Sequence, residues 1–174
     1  MKNRGLVVAA DRSVARLAKV RENISRLGLD VVRPVAEDAC NASTLSAPLA
    51  ERFDRILVDA PCSSTGVLGR RPDARWRRTE SDLRPLAEIQ LAILNSAFRR
   101  LRPEGILVYS TCSLEVEENE LVIDAFVKTT PSAVLEPASS VLPGIDSADT
   151  YLTALPGRHS GDGAFAARLK KAAS

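Results

Sequence analysis

The sequence predicts an α/β fold on an open, mostly parallel sheet with an antiparallel C-terminal edge, and three observations carry the prediction. Apolar runs without polar alternation, such as GLVVAAD and GILVYSTCS, recur along the chain, as in strands covered on both faces. Between them lie segments whose apolar residues are spaced by three and four, the pattern of amphipathic helices. The first three runs also end in acids, at Asp11, near Asp38 and at Asp59, so each apolar run closes on a polar group at the same kind of strand end.

Taken in order, GLVVAAD is the first strand and ends at Asp11. A helix follows from Ser13, with Val14, Leu17, Ala18, Ile24 and Leu27 on its stripe and Gly28 as its stop. LDVVRPVAEDA is a second strand with Pro34 at an irregular position, and FDRILVDAPC a third, centred on Ile56, Leu57 and Val58. The longest helix is expected between Thr79 and Leu101, where Leu83, Leu86, Ile89, Ile93, Leu94 and Ala97 form a stripe that RPEG breaks. GILVYSTCS is a fourth strand ending at Cys112. The acids Glu115, Glu117 and Glu118 then favour the N-terminal end of a helix that stops before Pro131. After the looser stretch PASSVLPGIDSADT, YLTALP and GAFAARLKK read as two strands joined by GRHSGD, forming the antiparallel edge.

Composition narrows the function classes. With 174 residues, 45% hydrophobic and 26% charged, the chain is of one-domain size and globular in character. No run approaches the roughly 20 apolar residues of a membrane span, and the start of the chain is too short in apolar residues for a signal peptide, so a cytoplasmic protein is expected. Three cysteines and one histidine argue against a metal site and for free thiols. A net charge of +2 makes nucleic-acid binding depend on local clustering.

In an open α/β sheet, ligands bind beyond the carboxyl ends of the strands. That rule brings Asp11, Asp38, Asp59 with Cys62, and Cys112 to one edge. An acid ending the second strand of a Rossmann-like sheet accepts hydrogen bonds from a ribose diol, a placement that Asp11 has, and Asp38 would reach an adenine amino group. Either acid alone reads equally well as a cap for the following helix. Cys112, flanked by Ser110, Thr111 and Ser113 ahead of a helix N-terminus, has the setting of an activated nucleophile rather than a buried structural thiol. Around Cys62, Pro61 and the turn weigh as much as the sulfur. In RRPDARWRR, arginines able to hold phosphates surround Trp76, which can stack on a base, so Arg70, Arg71, Arg75 and Trp76 form a candidate RNA contact. His159 reads as a polar loop residue.

These residues together resemble the RNA cytosine-5 methyltransferases of the Sun/Fmu type, which use S-adenosylmethionine. The likeness rests on DAPCSSTG at 59–66, RRPDARW at 70–76, the helix with Gln90 and Leu94, LRPEGILVYSTCSLEVEENE at 101–120, and the ending DGAFAARLKK. It implies a Rossmann-like class I methyltransferase sheet, with Cys112 adding to C6 of a cytosine in RNA, ribosomal RNA foremost. Cys62 would assist elimination of the enzyme. Asp59 would hold the pyrimidine and stabilise developing charge, and Asp11, Asp38, Asp59 and Pro61 would line the S-adenosylmethionine site.

In that family a strand and a glycine-rich loop resembling APGGKT precede the part matched here, and no such segment occurs in these residues. The expectation is a single, incomplete, N-terminally truncated methyltransferase domain over residues 1–174, weak or inactive alone. Its sheet would be open between the strand ending at Asp11 and the strand ending at Asp59, exposing edges to a complementing N-terminal segment or to self-association. Two other readings stand beside this one: a non-catalytic RNA-binding remnant of the same fold, and a thiol hydrolase pairing Cys112 with His159, for which no oxyanion motif is seen.

Overall fold

The structure is a computed structural model that describes residues 1–40, 52–142, 149–159 and 161–173. They divide into two compact units, Met1–Arg52 and Phe53–Ser174. Residues 143–148, within the stretch read as loose, lie outside the described residues.

The first unit is one strand–helix–strand. β1 (Val7–Asp11) and β2 (Val32–Ala36) pair in parallel through α1 (Val14–Leu27). Ser13 caps the helix by accepting from Arg16 N–H, and Gly28 ends it in the left-handed region at φ 61°. Leu17, on the predicted stripe, is buried. Pro34 stands opposite Ala9 on a strand at the rim of this small sheet, where a missing N–H is tolerated. β2 ends at Ala36, so Asp38 lies two residues beyond the strand.

The second unit holds β3 (Phe53–Asp59), α2 (Ala74–Arg77), α3 (Leu83–Arg99), β4 (Leu101–Thr111), α4 (Glu120–Thr129), β5 (Ala133–Glu136), β6 (Leu152–Ala154) and β7 (Ala164–Lys171). The sheet order is β3-β4-β7-β5, with β6 also paired to β7. β3 and β4 are parallel, while β7 runs antiparallel to β4, β5 and β6. The fold class is therefore as expected, a mostly parallel α/β sheet. The antiparallel C-terminal strand corrects one detail, because β7 lies inside the sheet, between β4 and β5, rather than at its edge. The reason is β5: its four residues take the far side of β7 from Arg168 to Lys171.

Two apolar layers hold this unit together. Leu94 and Phe98 of α3 and Val122, Ile123 and Phe126 of α4 are buried with Leu107 and Tyr109 of β4 and Phe165 and Leu169 of β7. Phe98 meets Phe126 edge-on at 5.2 Å between ring centres. The helix stripe breaks before RPEG as expected, but β4 already begins at Leu101. Its register against β3 slips between Phe53 and Arg55, and Glu104 takes a positive φ of 61° to absorb the extra residues. Among the described residues, β1 pairs only with β2 and β3 only with β4, and Leu57 on β3 is 70% exposed.

Candidate active site

The site in the second unit grows out of the end of β3. Ala60 N–H still donates to Ser110 O at 2.9 Å, but Pro61 has no N–H to continue the ladder, and the chain leaves the sheet. It returns at Gly66, whose N–H donates to Cys112 O at 2.9 Å and whose carbonyl accepts from Gly163 N–H at 2.7 Å. A Cβ at Gly66 would stand 2.7 Å from both Cys112 O and Gly163 O, so only glycine lets three backbones meet here. Gly66→Ala is expected to lower stability by about 1–3 kcal/mol, the usual cost of forcing extra volume into packed structure. The midpoint of a urea titration at unchanged m-value measures it.

The loop so formed sets Cys62 against Cys112, with 3.3 Å between the sulfurs. Cys62 is 9% exposed and Cys112 half-buried, and both are free thiols. Cys112 S–H also donates to Ser64 Oγ at 3.6 Å, and Ser64 is held in the left-handed region at φ 67°, an uncommon conformation for a residue with a Cβ.

Burial, followed by the adjacent Cys112, pushes the Cys62 thiol up to about 12. In the native protein at pH 8, alkylation of Cys62 should therefore lag an ordinary thiol by about 10³-fold, since the thiolate is the nucleophile. Its rate should rise about tenfold per pH unit toward pH 12, and iodoacetamide kinetics resolved by peptide mass would measure it. The linkage has the same sign: a thiol raised by folding contributes stability that is complete below its unfolded pKa and is lost as pH climbs through the folded one.

Under the loop lies a fully buried carboxylate. Glu118 Oε1 accepts from Ser63 N–H at 2.9 Å and from Gln90 Nε2 at 2.8 Å, and Oε2 accepts from the Ser63 hydroxyl. Gln90 Nε2 also donates to Pro61 O at 2.8 Å. The Tyr109 hydroxyl donates to Glu118 O at 2.6 Å, and burial, reinforced by Glu118, raises the Tyr109 phenol above its usual range. Ser63, Ser113 and Thr65 hydroxyls continue the network toward the other cysteine strand. Sequence reasoning placed Glu118 at a helix terminus and missed this role; the only trace was an acid run directly after the cysteine strand.

Cys112 needs a correction as well. It is not adjacent to a helix N-terminus, because α4 opens eight residues later, at Glu120. The intervening turn is consumed in internal bonds, Thr111 Oγ1 donating to Asn119 Oδ1 at 2.6 Å and Asn119 Nδ2 to Ser113 O at 3.0 Å.

The other predicted residues divide by unit. Asp59, at the end of β3, is exposed, and its carboxylate has no partner among the described residues. Pro61 is exposed, its carbonyl held by Gln90. In the first unit, Asp11 accepts from Ser13 N–H at 2.7 Å and pairs with Arg16 at 2.7 Å, and the Arg16 guanidinium holds its carboxyl below the usual range. Asp38 accepts from Cys40 N–H at 3.0 Å.

Arg70 pairs with Asp162 at 2.9 Å, while Arg75 stands 5.9 Å from the ring centre of Trp76, which is 83% exposed. A polar cavity of about 300 Å³ joins this segment to the cysteine loop, lined by Ser63, Ser64, Arg71, Asp73, Ala74, Arg77 and Arg78. Arg77 and Arg78 line it as well, beyond the Arg70, Arg71, Arg75 and Trp76 that the sequence points to. His159 accepts from Leu155 N–H at its Nδ1, closing its own turn, which leaves the hydrolase reading without a free base at that nitrogen. Among the described residues no group of side chains is arranged for a metal ion, and no helix is long and apolar enough to cross a membrane.

The chain matches the family model described as 16S rRNA methyltransferase RsmB/F over residues 1–170. It is 40% identical over 166 residues to a ribosomal RNA small subunit methyltransferase B of Salmonella arizonae, covering 95% of this chain and 36% of that protein. A protein of the same name from Vibrio cholerae is 41% identical over 157 residues, covering 86% of this chain and 35% of its own length. Among solved structures, NSun6 from Pyrococcus horikoshii with SFG is 36% identical with a TM-score of 0.83, covering 99% of this chain and 43% of that one. A methyltransferase homolog protein from Pyrococcus horikoshii has 32% identity and a TM-score of 0.79, over 98% of this chain and 55% of that one. The chain thus spans little more than a third of the curated relatives' length.

Proposed function

The chain belongs to the 16S rRNA methyltransferase RsmB/F family, and from that membership we propose that it carries the thiol chemistry of S-adenosylmethionine-dependent methylation of cytosine C5 in ribosomal RNA, as a single, incomplete methyltransferase domain in the cytoplasm. The observation that carries the reading is the pair of free sulfurs 3.3 Å apart on a loop and a strand end that are bonded to each other.

Cytosine C5 is a poor nucleophile until a group adds at C6. Cys112, the more exposed sulfur, adds there as the thiolate, forming the S–C6 bond and pushing electron density to C5. Asp59, with its carboxylate free at the end of β3, holds the pyrimidine and offsets the charge that develops on addition. After C5 is methylated, its remaining proton must leave as the S–C6 bond breaks, and Cys62 is the group beside the adduct to take it. Burial and the neighbouring Cys112 both raise Cys62. Once Cys112 is bonded to C6 its contribution is lost, so Cys62 gives up its own proton more readily and takes the C5 proton as the thiolate, with burial still opposing that ionisation.

The donor set fits S-adenosylmethionine chemically. Asp59, Asp11 and Asp38 are carboxylates suited to ribose hydroxyls and an adenine amino group, and Pro61 gives an apolar edge. At Asp11 a diol would replace Arg16 as partner. The cofactor would supply the methyl group. Arg70, Arg71, Arg75 and Trp76, with Arg77 and Arg78 around the cavity, are the proposed RNA contact, in which guanidinium groups take phosphates and the exposed indole stacks on a base. The edges of β1 and β3 that have no strand partner among the described residues are suited to a complementing strand or to a second copy.

The test is methyl transfer to small-subunit ribosomal RNA by this chain, alone and joined to the remainder of a family-length protein, with the product located by nucleoside mass spectrometry. 5-Methylcytosine is the expected product. Label on another base, or no transfer by either protein, overturns the reading.

A further inference from the structure

We infer that Cys62 and Cys112 form a peroxide-sensitive modification site, closing reversibly into an intramolecular disulfide. The geometry asks little of the fold. The sulfurs stand 3.3 Å apart, and a disulfide bond is about 2.05 Å, so closure needs about 1.2 Å of approach. Both residues lie just beyond the same rung of the sheet, where Asp59 faces Ser110. The backbones that carry them are tied together through Gly66 N–H and Cys112 O.

The two thiols are also unequal in the way a reactive and a resolving cysteine are. Cys112 is the more exposed and is reached first by a small oxidant; Cys62 is 9% exposed, protonated and already in contact with the other sulfur. In the first step the Cys112 thiolate attacks hydrogen peroxide, giving the sulfenic acid and hydroxide. In the second, the Cys62 sulfur displaces water from that sulfenic acid, its proton leaving with the oxygen, and the S–S bond forms. Two thiols are oxidised by two electrons and one peroxide is reduced to two waters; a dithiol reductant reverses the change by becoming a disulfide itself. Cys40 belongs to the other unit, and burial together with Asp38 holds its thiol protonated beyond the ordinary range, so it is a poor competitor for the oxidant.

The consequence for activity rests on the proposed function: a disulfide ties up the sulfur that adds to C6, so oxidised protein is inactive and reduction restores it. The modification itself does not depend on that reading, because it is read by mass. The experiment treats the Cys40→Ser protein with millimolar hydrogen peroxide, quenches with an alkylating agent in denaturant, and measures intact mass without reductant. The expected product has lost about 2 Da, takes up no alkylating agent and regains both thiols in a dithiol. With Cys62→Ser as well, Cys112 should instead gain oxygen in steps of about 16 Da and be trapped by dimedone. Oxygen uptake on Cys112 while Cys62 stays alkylatable, or a disulfide between two chains, overturns the proposal. Absence of methyl transfer by the reduced protein, in a chain that still shows the loss of about 2 Da after peroxide, would fault the functional reading and leave the disulfide standing.

Discussion

Replacing Cys62 with Ala is expected to trap a covalent RNA–protein adduct that survives denaturation, while Cys112→Ala abolishes both adduct and product. The two outcomes differ because the sulfurs act at opposite ends of one reaction. Without Cys112 no S–C6 bond forms, and turnover should fall by about 10³-fold or more, the scale of losing a covalent nucleophile. Without Cys62 the bond still forms and methylation proceeds, but proton removal from C5 loses its base and release slows by about 10²–10⁴-fold. Denaturing gels of protein incubated with ribosomal RNA and S-adenosylmethionine read the adduct, and nucleoside mass spectrometry reads the product. An adduct with Cys112→Ala but none with Cys62→Ala would exchange the two roles. An adduct with neither, in a protein that still methylates, would remove covalent catalysis altogether. The exposures favour the first assignment, since a base must reach Cys112 before it reaches the 9%-exposed Cys62.

The parts of this machinery that sequence revealed are those whose signals are local. Apolar runs located β1 to β4, the first three closing on acids and the fourth on Cys112, and Ser13 and Gly28 framed α1 within a residue of its ends, because a cap and a left-handed stop act on their own turn. The cysteines stood out because each follows a strand. The signals that failed are non-local. β5 has four residues between Pro131 and Pro137, too few to show a period, and exists because β7 offers a free edge at Arg168–Lys171. That same pairing turns β7 from an edge strand into an interior one. The helix setting expected for Cys112 failed because Thr111 and Asn119 bond across the turn and delay α4 to Glu120. Asp11 illustrates the competition between functional and structural readings: Arg16, one turn into the helix, occupies the carboxylate that a ribose would use. The Arg16 side of this pair is open to solvent, where screening keeps ion pairs weak, so a ligand with two hydroxyls has little to displace.

Glu118 is the clearest case of a residue hidden by its own neighbourhood, and its replacement carries the largest expected effect on stability. In SLEVEENE it reads as one acid among several on a solvated surface. In the fold its carboxylate is completely buried, and its partners, Ser63 and Gln90, lie 55 and 28 residues away in the chain. Glu118→Ala strands the Ser63 N–H and one donor position of Gln90 in a dry interior and leaves the Ser63 hydroxyl only Ser113 Oγ, so a loss of about 3–5 kcal/mol is expected from two unpaired donors at about 1–3 kcal/mol each. Gln90 retains Pro61 O as its second acceptor, which limits the damage on that side. Glu118→Gln is the discriminating variant. With its amide oxygen at the Oε1 position, it still accepts from Ser63 N–H and Gln90 Nε2. Its amide N–H₂ then meets a Ser63 hydroxyl that can accept in turn and redirect its own proton to Ser113 Oγ, 3.0 Å away. The cost should therefore stay near about 1 kcal/mol, the net worth of an ordinary hydrogen bond. Urea denaturation compares the two variants. A second readout separates bracing of the loop from general stability: if Glu118 holds Ser63, and through it the approach of Cys62 to Cys112, the Ala variant should alkylate at Cys62 at least tenfold faster under native conditions, whereas the Gln variant should match wild type. Equal destabilisation by both variants would mean that the negative charge, rather than the pattern of acceptors, holds the loop. Unchanged alkylation in a folded Glu118→Ala protein would detach the carboxylate from the cysteine pair.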